Sequence, residues 1–205
     1  MATINILSIG VAKQTPDQMV ITININNLYN TYQGALSASE LAYSSFIKAF
    51  EKEDFDTSGL QLEAYSIDED YEYINNQRQL RGYKYNYRIS YPMDLDFKRY
   101  QDLLKLVSYL DSKPILDLAY GIKDKQALRL LAIKDAIEKG QLQAEYIAKT
   151  LSGNLGKLTK IDLRNEPTVV YHSRAMMSES MDLAQMAVVP MEEEVTLSMD
   201  FQLEV

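Results

Sequence analysis

Val195-Thr196-Leu197-Ser198-Met199-Asp200-Phe201-Gln202-Leu203-Glu204-Val205, the C-terminal stretch of the chain, alternates apolar and polar side chains without a break. A period of two is the pattern of a strand with one buried and one wet face. A strand this regular at the end of a chain has to return and pair with a sheet that is already built, so the stretch is read as a required part of a folded domain and not as a tail.

The same period recurs upstream. Ile4 to Ile9 is a short β-rich run ended by Gly10, and Pro16-Asp17 is a turn signal. Ile21, Ile23 and Ile25 then alternate with Thr22, Asn24 and Asn26. Leu60, Leu62 and Ala64 open another strand. Tyr83, Tyr85, Tyr87, Ile89 and Tyr91 alternate with Lys84, Asn86, Arg88 and Ser90, which predicts a strand with an aromatic face. Pro92 is expected to stop that strand, and the polar link Asp68 to Gln79 is expected as a long hairpin tip. Leu116, Leu118, Tyr120 and Ile122 mark one further strand, and Lys157 to Leu163 another.

Three stretches carry the helical period instead. Thr31 to Glu53 places Leu36, Tyr43, Ile47 and Phe50 on one face. A second helix, capped by Asp94 or Asp96, places Tyr100, Leu103, Leu104, Val107 and Leu110 together. The longest runs from Asp124 to about Leu151 and sets Ala132, Ala136, Gly140, Ala144 and Ala148 four apart. Gly140 costs about 1 kcal/mol against alanine in a helix interior, and close approach to a neighbour compensates for it. Gly153 and Gly156 lie just past the end, where capping glycines belong. The order ββαββαβαββ predicts an α+β fold of mainly antiparallel sheet with three helices packed on one face. It is read as one domain, 1–205, with a flexible methionine-rich loop over about 166–194.

Composition limits the function. The chain has 205 residues, 46% hydrophobic and 24% charged, which suffices for a sizeable core. A net charge of −8 repels polyanions, so nonspecific binding to nucleic acid or to an anionic membrane is not expected. With no cysteine, disulfides, thiol nucleophiles and thiolate metal sites are excluded. No apolar run reaches the ~18 residues of a membrane-spanning helix. MATINILSIG lacks the n- and h-regions of a leader. The expectation is a cytoplasmic protein, or a periplasmic or envelope-associated one from which a leader was removed.

The punctuation of this pattern resembles the SIMPL-domain family, a domain of largely unknown function that includes periplasmic and outer-membrane-associated immunogenic proteins of bacteria. The residues that carry the resemblance are Ile4-Asn5-Ile6 through Gly10 with Pro16-Asp17, Thr57-Ser58-Gly59-Leu60, and Tyr71-Glu72-Tyr73 followed by Gly82-Tyr83. They continue with Asp94-Leu95-Asp96, Ala127-Leu128 through Leu155-Gly156-Lys157, and Glu194-Val195-Thr196. Together they span nearly the whole chain. The opening MATINILSIG does not carry the pattern of the family's usual N-terminal signal, and the tyrosine strand is richer in aromatics than the family pattern. The resemblance implies an α+β fold that self-assembles, in some members into ring-like or channel-like oligomers. It implies no enzyme activity, no cofactor and no catalytic residues.

Candidate chemistry is sparse. His172, the only histidine, has no nucleophile motif beside it. Asp68, Glu69, Asp70 and Glu72 lack the glycine-hinged spacing of a calcium loop and read as a solvated tip. Glu192 to Glu194 read as charge that discourages aggregation beside an apolar strand. Met176, Met177 and Met181, with His172, offer soft thioether ligands for copper(I), or an adaptable apolar contact. Tyr83, Tyr85, Tyr87 and Tyr91 form a core or subunit-interface face. Gly153-Asn154-Leu155-Gly156 follows a helix and is a cap, not a phosphate loop. The expected function is that of a non-enzymatic cell-envelope protein acting through self-assembly or protein–protein interaction. The alternative is a copper or small-ligand binder built on the methionine loop.

Overall fold

A computed structural model describes residues 2–164 and 189–204. In it the alternating stretches become strands β1 (Ala2–Gln14), β2 (Gln18–Tyr29), β3 (Gln61–Ile74), β4 (Gln77–Asp94), β5 (Ile115–Gly121), β6 (Asn154–Arg164) and β7 (Met191–Glu204). The helices are α1 (Tyr32–Lys52), α2 (Phe97–Ser108) and α3 (Lys125–Thr150). The fold is α+β with antiparallel sheets, in the element order expected. The chain divides into two compact units. One contains β1, α3, β6 and β7; the other contains β2 to β5 with α1 and α2.

In the first unit the sheet order is β1-β7-β6. The C-terminal strand is therefore central, with a ladder on each side. Its inward residues Val195, Leu197, Met199 and Phe201 stand opposite Gly10, Ser8, Ile6 and Ile4 of β1. Over this face lies α3, whose buried stripe is Leu128, Ala132, Ala136, Gly140, Ala144 and Ala148. The small residues let backbone meet backbone. A Cβ on Gly10 would fall well within 3.0 Å of Ala132 O and Ala136 N, and one on Gly140 would meet Met199 Cε. Ser8 Oγ donates to Ala136 O at 2.7 Å, so the one hydroxyl in this layer is satisfied by the helix.

Strand β7 begins at Met191, so the loop expected over 166–194 ends earlier than its reading proposed. Glu193 interrupts the alternation in the sequence, yet it is half-buried and faces Arg129 of α3 at 3.7 Å, while Glu192 pairs with Lys13 of β1. The remainder of that loop lies outside the described residues.

In the second unit the sheet order is β3-β4-β2-β5. The central pair sets Ile21, Ile23 and Ile25 of β2 opposite Tyr91, Ile89 and Tyr87 of β4. Thr31 caps α1 by accepting from Gly34 N at 3.1 Å. This helix buries Ala35, Ser39, Ala42, Phe46 and Phe50. The face is rotated from the expected one: Leu36, Tyr43 and Ile47 flank it, half-buried. Asp96 caps α2, accepting from Arg99 N at 3.0 Å. The Arg99 guanidinium stacks on Phe55 and donates to Glu53 O at 3.0 Å and to Asp54 O, tying α2 to the exit of α1. Ile122, read as the last inward residue of a strand, falls just past β5 and joins the core of the other unit.

Two expectations about the tyrosine hairpin are corrected. The polar stretch Asp68 to Gln79 is not a tip but strand on both sides of a two-residue turn, Asn75-Asn76, with φ of 49° and 60°. Both values suit a primed hairpin turn, which asparagine tolerates. The stretch reads as loop because most of it is exposed, so no alternation marks it. Nor does Pro92 stop β4. It pairs with Val20, and β3 begins only opposite Ser90, so on that side the ladder has already ended and a residue without an N–H is tolerated. Gly82, at φ 150°, sits where a Cβ would meet the carbonyl oxygen of Tyr29. Beyond that point β2 ends and, among the described residues, the hairpin continues as two strands alone.

Candidate interaction surfaces

The tyrosine strand carries the residues expected to form a core or subunit-interface face. Tyr85, Tyr87 and Tyr91 are core residues, 1%, 8% and 7% exposed, while Tyr83 is half-buried. Tyr87 stacks between Tyr65 at 4.5 Å and Tyr43 at 5.1 Å, and Tyr91 meets Phe50 edge-on at 4.9 Å. Tyr83 meets Tyr32 edge-on at 5.8 Å. Burial, with Tyr29 and Tyr87 nearby, pushes the Tyr85 phenol up to about 12. Burial also raises Tyr87, Tyr91, Tyr100 and Tyr120. Such phenols stay protonated near neutral pH and serve as packing groups rather than as bases.

The other sequence candidates disperse. Met176, Met177, Met181 and His172 lie outside the described residues. Among the described residues no three histidines or carboxylates come close enough to hold a metal ion. The acidic residues of β3 do not converge. Asp70 pairs with Arg81 at 3.3 Å, Asp68 Oδ2 accepts from Ser66 Oγ at 2.6 Å, and the Tyr71 hydroxyl donates to Glu69. In the second unit a cleft of about 370 Å³ is lined by Asn27, Tyr29, Leu41, Ser45, Tyr85 and Asp111, among others. It offers an apolar wall and scattered polar groups, with no paired acid and base.

What remains conspicuous is the sheet edges, which the sequence did not mark. Each sheet leaves two strands with one side unpaired among the described residues: β1 and β6 in the first unit, β3 and β5 in the second. Such a row of free backbone groups is a template for another strand. The β1 edge is partly occupied, because Val11 N donates to Asp135 Oδ2 at 2.8 Å. Hydrogen bonds from Lys139 and then from Val11 hold the Asp135 carboxyl below its ordinary range. The β5 edge is only 7 residues long. Longer and more exposed are β6 and β3. On β6, Leu158, Ile161 and Leu163 stand opposite the inward residues Phe201, Met199 and Leu197, on the face that α3 covers, yet they are 45%, 45% and 43% exposed. On β3, Leu62 is 54% and Tyr73 75% exposed. Bulges interrupt both strands but leave regular ladders over Ala64–Asp70 and Lys160–Arg164.

The apolar content of these edges is visible in the sequence. Its exposure is not, since a run such as Leu158 to Leu163 reads the same in a central strand. No helix among the described residues is long and apolar enough to cross a membrane. No curated protein matches the chain. Nearly its whole length, residues 5–204, fits the family model described as SIMPL, protein of unknown function (DUF541), and the chain belongs to that family.

Proposed function

We propose that this chain is a non-enzymatic cell-envelope protein that works by associating with further copies of itself. One observation carries the reading: both units leave a long sheet edge unpaired among the described residues, and both edges display large apolar side chains. Monomeric proteins usually blunt such edges by covering or shortening them. Adding a strand would satisfy the free N–H and C=O groups and remove Leu62, Ile161 and Leu163 from water together. The scattered polar groups of the cleft, and tyrosines held neutral by burial, fit a packing role better than catalysis. The envelope setting rests on the family resemblance alone.

Light scattering coupled to size exclusion at micromolar concentration tests this. The expected mass is a multiple of the 23.4 kDa chain. A monomer at every concentration would overturn the self-association. Recovery of the chain with cytosolic markers on cell fractionation would overturn the envelope setting.

A further inference from the structure

We infer that the contact between copies is heterologous, with the β3 edge of one chain pairing with the β6 edge of the next. The inference rests on the self-association proposed above and names its surface. The two edges carry opposite charge. Strand β3 holds Glu63, Asp68, Glu69, Asp70 and Glu72 and no lysine or arginine, whereas β6 holds Lys157, Lys160 and Arg164 against the single carboxylate of Asp162. Directly opposed residues of paired strands lie about 4.5–5.5 Å apart, where like charges repel and unlike charges attract. Two β3 edges therefore repel each other, and so do two β6 edges more weakly. The mixed pairing is the favoured one, and the same charges that blunt each edge against its own kind select the other.

The existing partners of these charges do not prevent the exchange. Glu63 pairs with Arg88 at 3.0 Å, Asp70 with Arg81 at 3.3 Å and Lys160 with Asp162 at 2.6 Å, all on exposed side chains except that of Asp70, which is half-buried. Exposed pairs of this kind contribute little and rearrange readily. Asp68 and Glu69 have the hydroxyls of Ser66 and Tyr71 as partners. The apolar residues match as well, since Leu62 and Tyr65 on β3 and Ile161 and Leu163 on β6 are each exposed by two-fifths or more. The remaining edges fit less well. Strand β1 is held at Val11 by Asp135 and carries a single cation, Lys13. Strand β5 has half the length of β3 and one carboxylate, Asp117. A contact of this kind leaves one unlike edge free at each end, so association is not limited by symmetry to two copies.

Two charge-reversed chains test the assignment: Asp68→Lys with Glu69→Lys on β3, and Lys160→Glu with Arg164→Glu on β6. All four sites are exposed, and circular dichroism with thermal melting checks that each chain stays folded. Each pair alone is expected to raise the concentration of half-dissociation by about tenfold or more. An equimolar mixture of the two chains is expected to stop at a dimer, because the unaltered β6 edge of the first still meets the unaltered β3 edge of the second. Added salt is expected to weaken wild-type association by screening. If wild type associates but either reversed pair leaves its mass unchanged, or the mixture of the two stays monomeric, the β3–β6 assignment is wrong while self-association stands. If wild type is itself monomeric, both fall.

Discussion

In the first unit α3 meets its sheet through alanine and glycine, whereas in the second the C-terminal half of α1 meets its sheet through phenylalanine and tyrosine. On one side Ala132 and Ala136 press against Gly10, and the distance between helix and sheet is set by main-chain atoms. On the other, Phe50 packs against the rings of Phe46, Phe55 and Tyr91 at separations of 4.8 to 5.2 Å, and the distance is set by side-chain thickness. The difference lies in how each interface fails. Main-chain atoms cannot rotate away from an added group, so the first interface does not tolerate enlargement at Gly10. Rings make much of the core of the second, so that interface is vulnerable to deletion.

The sharpest way to break this contrast is Gly10→Val. The added atoms meet the α3 backbone, the helix has to lift, and the expected loss is about 5 kcal/mol or more, which is comparable with the whole stability of a typical domain. Urea denaturation measures it. Gly140→Ala serves as a control, because its Cβ meets the mobile end of Met199 and the helix gains about 1 kcal/mol of propensity, so its net change should be small. Equal losses for the two variants would show that backbone contact is not what separates them.

Next in size is Phe50→Ala in the second unit. Phe50 is 0% exposed and touches three other rings, and the expected cost is about 3–5 kcal/mol with loss of the near-ultraviolet dichroism of the aromatic cluster. A loss below about 1 kcal/mol would show that the rings repack and that the contrast is overstated.

The last effect is absent at neutral pH. Tyr85 is raised to about 12 in the folded state, so it keeps its proton where an unfolded tyrosine, titrating near the ordinary value of 10, releases it. The unfolded state then binds fewer protons than the folded one, and stability falls as pH rises from about 10 towards 12. Tyr87 and Tyr91 shift in the same direction and add to it. Absorbance of tyrosinate against pH, followed with dichroism, should show these phenols ionising only as the cluster is lost. Free titration near 10 with the cluster intact would mean that it is open to solvent.

Legibility followed local chemistry. The alternation of Val195 to Val205 and of Tyr83 to Tyr91, the cap expected at Asp94 or Asp96 and found at Asp96, and the small-residue stripe of α3 were all readable, because each depends on near neighbours along the chain. The hairpin arm was misread as a loop because most of its side chains are exposed, which erases the pattern that marks a strand. The start of β7 was obscured because Glu193 takes a position that Arg129 satisfies from a distant helix. Of the candidate site, the tyrosine face was legible as an aromatic strand and proved to be core. The sheet edges were not legible at all.

By itself, then, the sequence determined the element types, their order and the inward face of most strands, since these follow from side-chain periodicity and local capping. Only the tertiary structure decided that β7 lies between β1 and β6, that Gly10 faces Ala132 and Ala136, and that β3 and β6 are edges among the described residues. Strand neighbours are chosen by packing between residues far apart along the chain. An acidic strand and a basic strand look alike whether their backbones are paired or open, and that choice turns them into candidate surfaces.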